Sequence, residues 1–406
     1  MLDMAERLAV PNISARKMIT VSGLGMLFDA MDVGLLSYVL LSLEKNWHLA
    51  PTMSGLLGSM SLIGMAIGSA LAGAMADRFG RKSLFMITLL IYSLATGLSA
   101  LAMGVGIFLV LRFFVGLGLG GELPVATTYV VEMSPESVRA RRAVYLETFW
   151  AVGSLVAALL SFFVLPTLGW RIVFALGALP ALYTLVLRRA LPETSKYQKL
   201  EKRLNIRQTF RLIWSGHLAK QSMVTWILWA VMNFAYYGMF LWLPSVMALH
   251  GYSLVHSIGY VLIMTLAQVP GYLTAAWLVE KIGRKWTLLP AMLLAALSAL
   301  GFGFAQSTAM LILFGLLLSF FMLAAFAGTY VFTVEQFPVR ARASGMGWAA
   351  GFGRLGGVVA PFLTGYLLAT HVTFENIFGL FFLVTLFGFL IVLFFGRETR
   401  GKALDE

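Results

Sequence analysis

Apolar residues in this chain run in long continuous blocks, and polar residues gather in the short segments between them. The blocks predict twelve helical spans, at residues 18–43, 54–76, 83–103, 106–131, 142–165, 170–190, 219–247, 256–280, 286–305, 308–333, 343–369 and 373–396. A helix needs about 20 apolar residues to cross a hydrocarbon core roughly 30 Å thick, and every block meets that length. The blocks lack the alternation of a lipid-facing strand, so helices are expected and a barrel is not.

Composition agrees. Of 406 residues, 60% are hydrophobic and only 12% charged, and the mean hydropathy is +0.86. A soluble domain has no use for so much apolar surface. Residues 1–17 are polar, contain Pro11 and show no short apolar run ending at a cleavage site. The first span is therefore expected to be both targeting element and permanent helix. There is no cysteine, which excludes disulfides and thiolate metal sites. No metal or cofactor is expected.

The net charge of +12 changes the picture only through its placement. With the N-terminus in the cytoplasm, 26 of the 30 Lys and Arg fall on the cytoplasmic side. Two more, Arg112 and Arg354, lie within spans, and only Lys45 and Arg171 reach the other face. The positive-inside rule then gives an even number of spans with both termini cytoplasmic. Anionic lipid headgroups are the expected contact of the basic loops, and nucleic acid is not.

The chain repeats itself. Asp77, Gly80, Arg81 and Lys82 after span 2 recur 203 residues later as Glu280, Gly283, Arg284 and Lys285 after span 8. The same offset links Glu132, Pro135 and Arg139 with Glu335, Pro338 and Arg342. One register across two motifs indicates duplication. It predicts a six-helix bundle at 1–190, a cytoplasmic linker at 191–218 and a second six-helix bundle at 219–406.

These motifs resemble the major facilitator superfamily over the whole chain. The pattern G-x-x-x-D-R-x-G-R-K is carried by Gly73, Asp77, Arg78, Gly80, Arg81 and Lys82, and R-x-x-x-G-x-x-x-G by Arg112, Gly116 and Gly120. Pro192-Glu193-Thr194 and Arg397-Glu398-Thr399 end the two halves. Within the superfamily, FDAMD in span 1, GLGGELPVA in span 4 and FAYYGMFLWLPS in span 7 are similar to the bacterial niacin permeases, beside the aromatic-acid:proton symporters. The resemblance implies an all-α membrane protein of two pseudo-symmetric bundles in the bacterial inner membrane. It implies import of nicotinate or a similar small anionic aromatic acid with a proton, by alternating access, in a chain acting as a monomer. The alternative on the same fold is proton-coupled efflux of drugs or metabolites, or import of another aromatic acid or a sugar-like substrate; an enzyme is not expected, since no nucleophile–base pair or metal cluster is visible. The resemblance further implies cytoplasmic latches in the outward-open state. Arg81 would reach Glu132 and Arg284 would reach Glu335, with Glu280, Arg139 and Arg342 at matched positions.

Six charged residues lie deep within the spans, away from their ends: Asp29, Asp32, Arg112, Glu122, Glu147 and Arg354. A charge at the bilayer centre costs on the order of 2.5–3.5 kcal/mol on insertion scales, so such residues usually sit where they are used. Asp29 and Asp32 share a helical face, and two neighbouring carboxylates do not both ionise cheaply. One is a candidate proton carrier; a permanent pair with Arg112 that locks spans 1 and 4 is the other reading. Glu122, beside Pro124, is a second proton candidate, or a hydrogen-bond partner for backbone loosened there. Glu147 reads equally as carrier or gate. Arg354, among small residues in AAGFGRLGG, offers a planar fork for a carboxylate. Asn233, Tyr236, Tyr237 and Trp150 are candidates for holding a flat ring, and Gln268 for bonding a ring nitrogen.

Overall fold

The apolar blocks become helices whose side chains face lipid or one another, because no water is at hand to satisfy a bare backbone. The computed structural model describes residues 15–79, 81–132, 139–179, 206–216, 218–337 and 339–400. Spans 1 to 4 are α1 (Ala15–Trp47), α2 (Pro51–Phe79), α3 (Arg81–Ser99) and α4 (Val105–Glu132). Span 5 and the start of span 6 form α5 (Arg139–Leu176), bent at Gly169, whose φ of 78° is a conformation glycine adopts without strain. The rest of span 6 lies outside the described residues, as does linker segment 191–205. A short helix, α6 (Ile206–Ile213), precedes the second half.

Span 7 is broken into α7 (Leu218–Phe240) and α8 (Leu243–Leu249), and span 8 into α9 (Leu254–Leu266) and α10 (Gln268–Lys281). Then come α11 (Arg284–Gly303), α12 (Thr308–Glu335), α13 (Val339–Ala369) and α14 (Phe374–Phe395). Both breaks precede a proline, Pro244 and Pro270. Proline has no N–H to return to the carbonyl four residues back. For Pro244 that carbonyl belongs to Phe240, and Ser37 from α1 takes it: Ser37 Oγ donates to Phe240 O at 3.0 Å and to Leu241 O at 2.8 Å. Among the described residues nine helical segments, counting α9 and α10 together, are long and apolar enough to cross a membrane, and two shorter apolar helices lie at 86–99 and 105–121.

Within the first half, α4 lies directly on α2. A Cβ added at Gly116 would stand 1.8 Å from the carbonyl oxygen of Ser61, so the glycine motif of span 4 sets this close approach. Beside it, Arg112 is fully buried and pairs with Asp32 at 3.2 Å. Arg112 Nη2 also donates to Ser99 Oγ at 3.0 Å, Thr96 Oγ1 donates to Asp32 Oδ1 at 2.5 Å, and the guanidinium lies against the Phe108 and Phe174 rings.

The described hydrogen bonds between the halves cluster away from the GRK segments. Besides the Ser37 bonds, Ser59 Oγ donates to Val358 O at 2.6 Å, and Ser245 Oγ donates to Glu44 at 3.3–3.4 Å. Apart from a Trp150–Tyr236 bond at mid-bundle, these described bonds lie toward the end carrying the α1–α2 and α13–α14 connections.

At the GRK end, Arg284 Nη2 meets Glu335 Oε1 at 2.7 Å, and Thr399 Oγ1 donates to Glu335 Oε2 at 2.6 Å. The backbone N–H groups of Arg284 and Lys285 donate to the Glu398 carboxylate at 3.1 and 3.0 Å. Burial pushes the Glu398 carboxyl up, but backbone N–H donors from Arg400, Arg284, Thr399 and Trp286 outweigh it and hold the group below its ordinary value. All these contacts tie elements of the second half to one another, and Glu280 is exposed. Gly80 and the side chains of Asp77, Arg78, Arg81, Glu132, Arg139 and Arg342 lie outside the described residues, as does any side-chain placement at Gly73.

Candidate substrate cavity

Two cavities meet in the middle of the bundle and share Tyr236 and Tyr237. The first lies between α1, α2 and α7 and reaches Asp32, Ser37, Gly58 and Ser61. The second lies between α5, α7, α10, α12 and α13. It holds both a buried cation, Arg354, and a buried acid, Glu147.

Helix periodicity explains the wall from α7. Residues 229, 233, 236 and 237 share one face, and Trp229, Asn233, Tyr236 and Tyr237 all line the second cavity. Asn233 Nδ2 donates to Trp229 O at 2.8 Å, and Trp229 Nε1 donates to Thr333 Oγ1 at 3.0 Å. From α5, Trp150 Nε1 donates to the Tyr236 hydroxyl at 3.0 Å. Tyr330 stands edge-on to Trp229 at 4.8 Å between ring centres, and Phe326 edge-on to Tyr236 at 5.3 Å. Tyr272 closes the side toward α10.

Arg354 is 8% exposed. Its Nη1 donates to the Tyr237 hydroxyl at 3.0 Å, and it makes no ion pair among the described residues. Glu147 is 4% exposed, and its Oε1 has no hydrogen-bond partner there. A buried guanidinium without a carboxylate in contact is costly and leaves room for an anion's oxygens. The surrounding rings present flat apolar faces. Chemically, the cavity suits a small planar acid.

The structure therefore gathers Arg354, Tyr236, Tyr237, Asn233, Trp150 and Glu147 around one space. Gln268 opens α10, is buried, and lines neither cavity. Asp32 lines the first cavity while engaged with Arg112. Asp29 is buried in α1, and the Glu122 side chain lies outside the described residues. Trp229, Tyr272, Phe326 and Tyr330 were not anticipated. Trp229 was legible one turn before Asn233; Tyr330 had no such cue.

The Major Facilitator Superfamily profile matches residues 23–270 and 255–406. The chain belongs to the major facilitator superfamily. Like other major facilitators, it is a multi-pass membrane transporter and not an enzyme. It is 48% identical over 394 residues to a Bacillus subtilis protein provisionally named a niacin/nicotinamide transporter, covering 97% of this chain and 98% of that one. It is 44% identical over 415 residues to a niacin transporter of Acinetobacter baylyi, covering 95% and 94%. Its fold matches a crystal structure of a D-xylose–proton symporter with a TM-score of 0.77 at 21% identity, over 96% of this chain and 99% of that one. At that identity the likeness concerns the fold alone.

Proposed function

We propose that this chain imports nicotinate, or a closely similar small aromatic monocarboxylate, together with one proton, by alternating access in a bacterial inner membrane. The observation that carries the reading is Arg354, buried in an aromatic cavity and lacking a carboxylate partner among the described residues. The niacin-transporter names of the two relatives support the substrate.

In this reading Arg354 holds the carboxylate, while Tyr236, Tyr237, Asn233 and Trp150 hold the ring. The halves 1–190 and 219–406 rock about the cavity as a monomer, with 191–218 between them. Alternating access requires the Ser37, Ser59 and Ser245 bonds to open when the cavity faces the opposite side of the membrane. The Arg284–Glu335 pair and its first-half counterparts at Gly73–Arg81, Glu132 and Arg139 brace the cytoplasmic ends of the helices as they move. Asp29, Asp32 and Glu122 remain candidates for relaying the proton.

Uptake of radiolabelled nicotinate into oriented vesicles, with benzoate and nicotinamide as competitors, tests the proposal. Accumulation driven by an acidic exterior, with stronger competition from the acid than from the amide, is expected. Exclusion of label would indicate efflux and overturn the import reading.

A further inference from the structure

We propose that Glu147 reads the ring nitrogen of a pyridine carboxylate, and that the proton lying between the two is the one carried with the substrate. This rests on the reading that Arg354 anchors the carboxylate.

Glu147 comes from α5 in the first half and Arg354 from α13 in the second, and both line the same cavity. A ligand held at one end by each would bridge the halves. Nicotinate has two polar groups: a carboxylate and, at the meta position of the ring, a basic nitrogen. Protonated Glu147 donates its O–H to that nitrogen. Benzoate presents a C–H at the same place and leaves the donor unpaired in a buried site, which is unfavourable.

Charge balance makes the same assignment. The groups facing Glu147 are Arg354 on α13, Tyr236 and Tyr237 on α7, Tyr272 on α10 and Tyr330 on α12. Among the described residues lining the cavity, Arg354 is the one formal charge opposing Glu147. With Glu147 ionised, the empty cavity pairs one guanidinium with one carboxylate and is neutral in its described charges. With substrate anion and proton both bound, it holds the guanidinium, the substrate carboxylate and neutral Glu147, and is again neutral. Substrate alone leaves a net charge of −1, and the proton alone leaves +1. An uncompensated charge buried in protein is strongly disfavoured, so the two enter and leave together. The proton comes from water on the entry side to a Glu147 oxygen and departs to water on the exit side; no other bond changes.

The test is calorimetric binding of nicotinate and benzoate to purified wild type, Glu147→Gln and Glu147→Ala, in mildly acidic and mildly alkaline buffer. Wild type is expected to prefer nicotinate and to bind it more tightly in acid. Glutamine keeps an N–H donor but cannot titrate, so Glu147→Gln should keep the preference and lose the pH dependence. Glu147→Ala should lose roughly tenfold or more of the preference for nicotinate over benzoate, with benzoate binding retained as the check that the protein is folded. If alanine does not fold, the glutamine variant decides. An unchanged preference in Glu147→Ala, an unchanged pH dependence in Glu147→Gln, or no preference in wild type would each overturn the role of Glu147. A wild type that binds neither acid would instead overturn the proposed function.

Discussion

Replacing Arg354 by alanine separates a substrate anchor from a structural charge. The side chain is 8% exposed, and one described hydrogen bond, to Tyr237, holds it. The fork therefore has donors left for a ligand carboxylate. A hydrogen bond to a charged group contributes about 1.5–3 kcal/mol. Two such bonds made by nicotinate, less the partial interaction an uncharged amide would keep, leave a difference of about 3 kcal/mol between acid and amide. At about 1.4 kcal/mol per tenfold, that is roughly a hundredfold in Kd. Calorimetry on monodisperse protein should show nicotinate weakened by about that factor in Arg354→Ala and nicotinamide far less affected. Arg354→Lys keeps the charge but loses the planar fork, and should fall between wild type and alanine. Equal losses for acid and amide, or a protein that no longer folds in either variant, would place Arg354 in the scaffold and refute the argument.

Three further outcomes follow from the packing. Ser37→Ala strands the Phe240 carbonyl freed by Pro244, at a cost of about 1–3 kcal/mol to the α1–α7 contact; a cysteine introduced at Val33 in this cysteine-free chain should then react faster with an impermeant maleimide from the side of the α1–α2 connection, and an unchanged rate would count against Ser37 holding that side closed. Gly116→Leu would drive a side chain into the Ser61 carbonyl and should abolish a monodisperse peak in fluorescence size-exclusion chromatography, whereas normal recovery would contradict the α2–α4 packing. Glu398 has a depressed pKa in the folded protein, so its stabilising effect is present above the unfolded value of about 4.3 and is lost as pH falls through the folded value. Glu398→Gln should accordingly lower the melting temperature near neutrality and match wild type in strong acid; a difference that persists in acid would rule out the carboxylate as its source.

The spans were legible because bilayer thickness imposes a length that hydropathy alone records, and eleven of the twelve correspond to described helices within a few residues. The breaks at Leu241–Trp242 and at Ala267 were not legible. A proline in an apolar run either kinks or breaks a helix depending on whether a neighbour takes the freed carbonyl, and Ser37 lies about two hundred residues from the carbonyls it caps. The site was legible where charge marked it. Arg354 and Glu147 stand out because buried charge is rare in apolar helices. Tyr272, Phe326 and Tyr330 do not, because an aromatic side chain in a membrane helix packs against lipid, protein or ligand with the same sequence signature. Of the two readings of the Asp32–Arg112 pair, the geometry shows the contact between α1 and α4.

The central claim is that a flat acid sits between Arg354 and Glu147. Crystals of the protein grown with 5-bromonicotinate, measured at the bromine absorption edge, test it most directly. The account predicts one anomalous peak in the cavity walled by Trp229, Tyr237 and Tyr330, with the carboxylate toward Arg354 and the ring nitrogen toward Glu147. A peak in the neighbouring cavity beside Asp32, with none near Arg354, would contradict it.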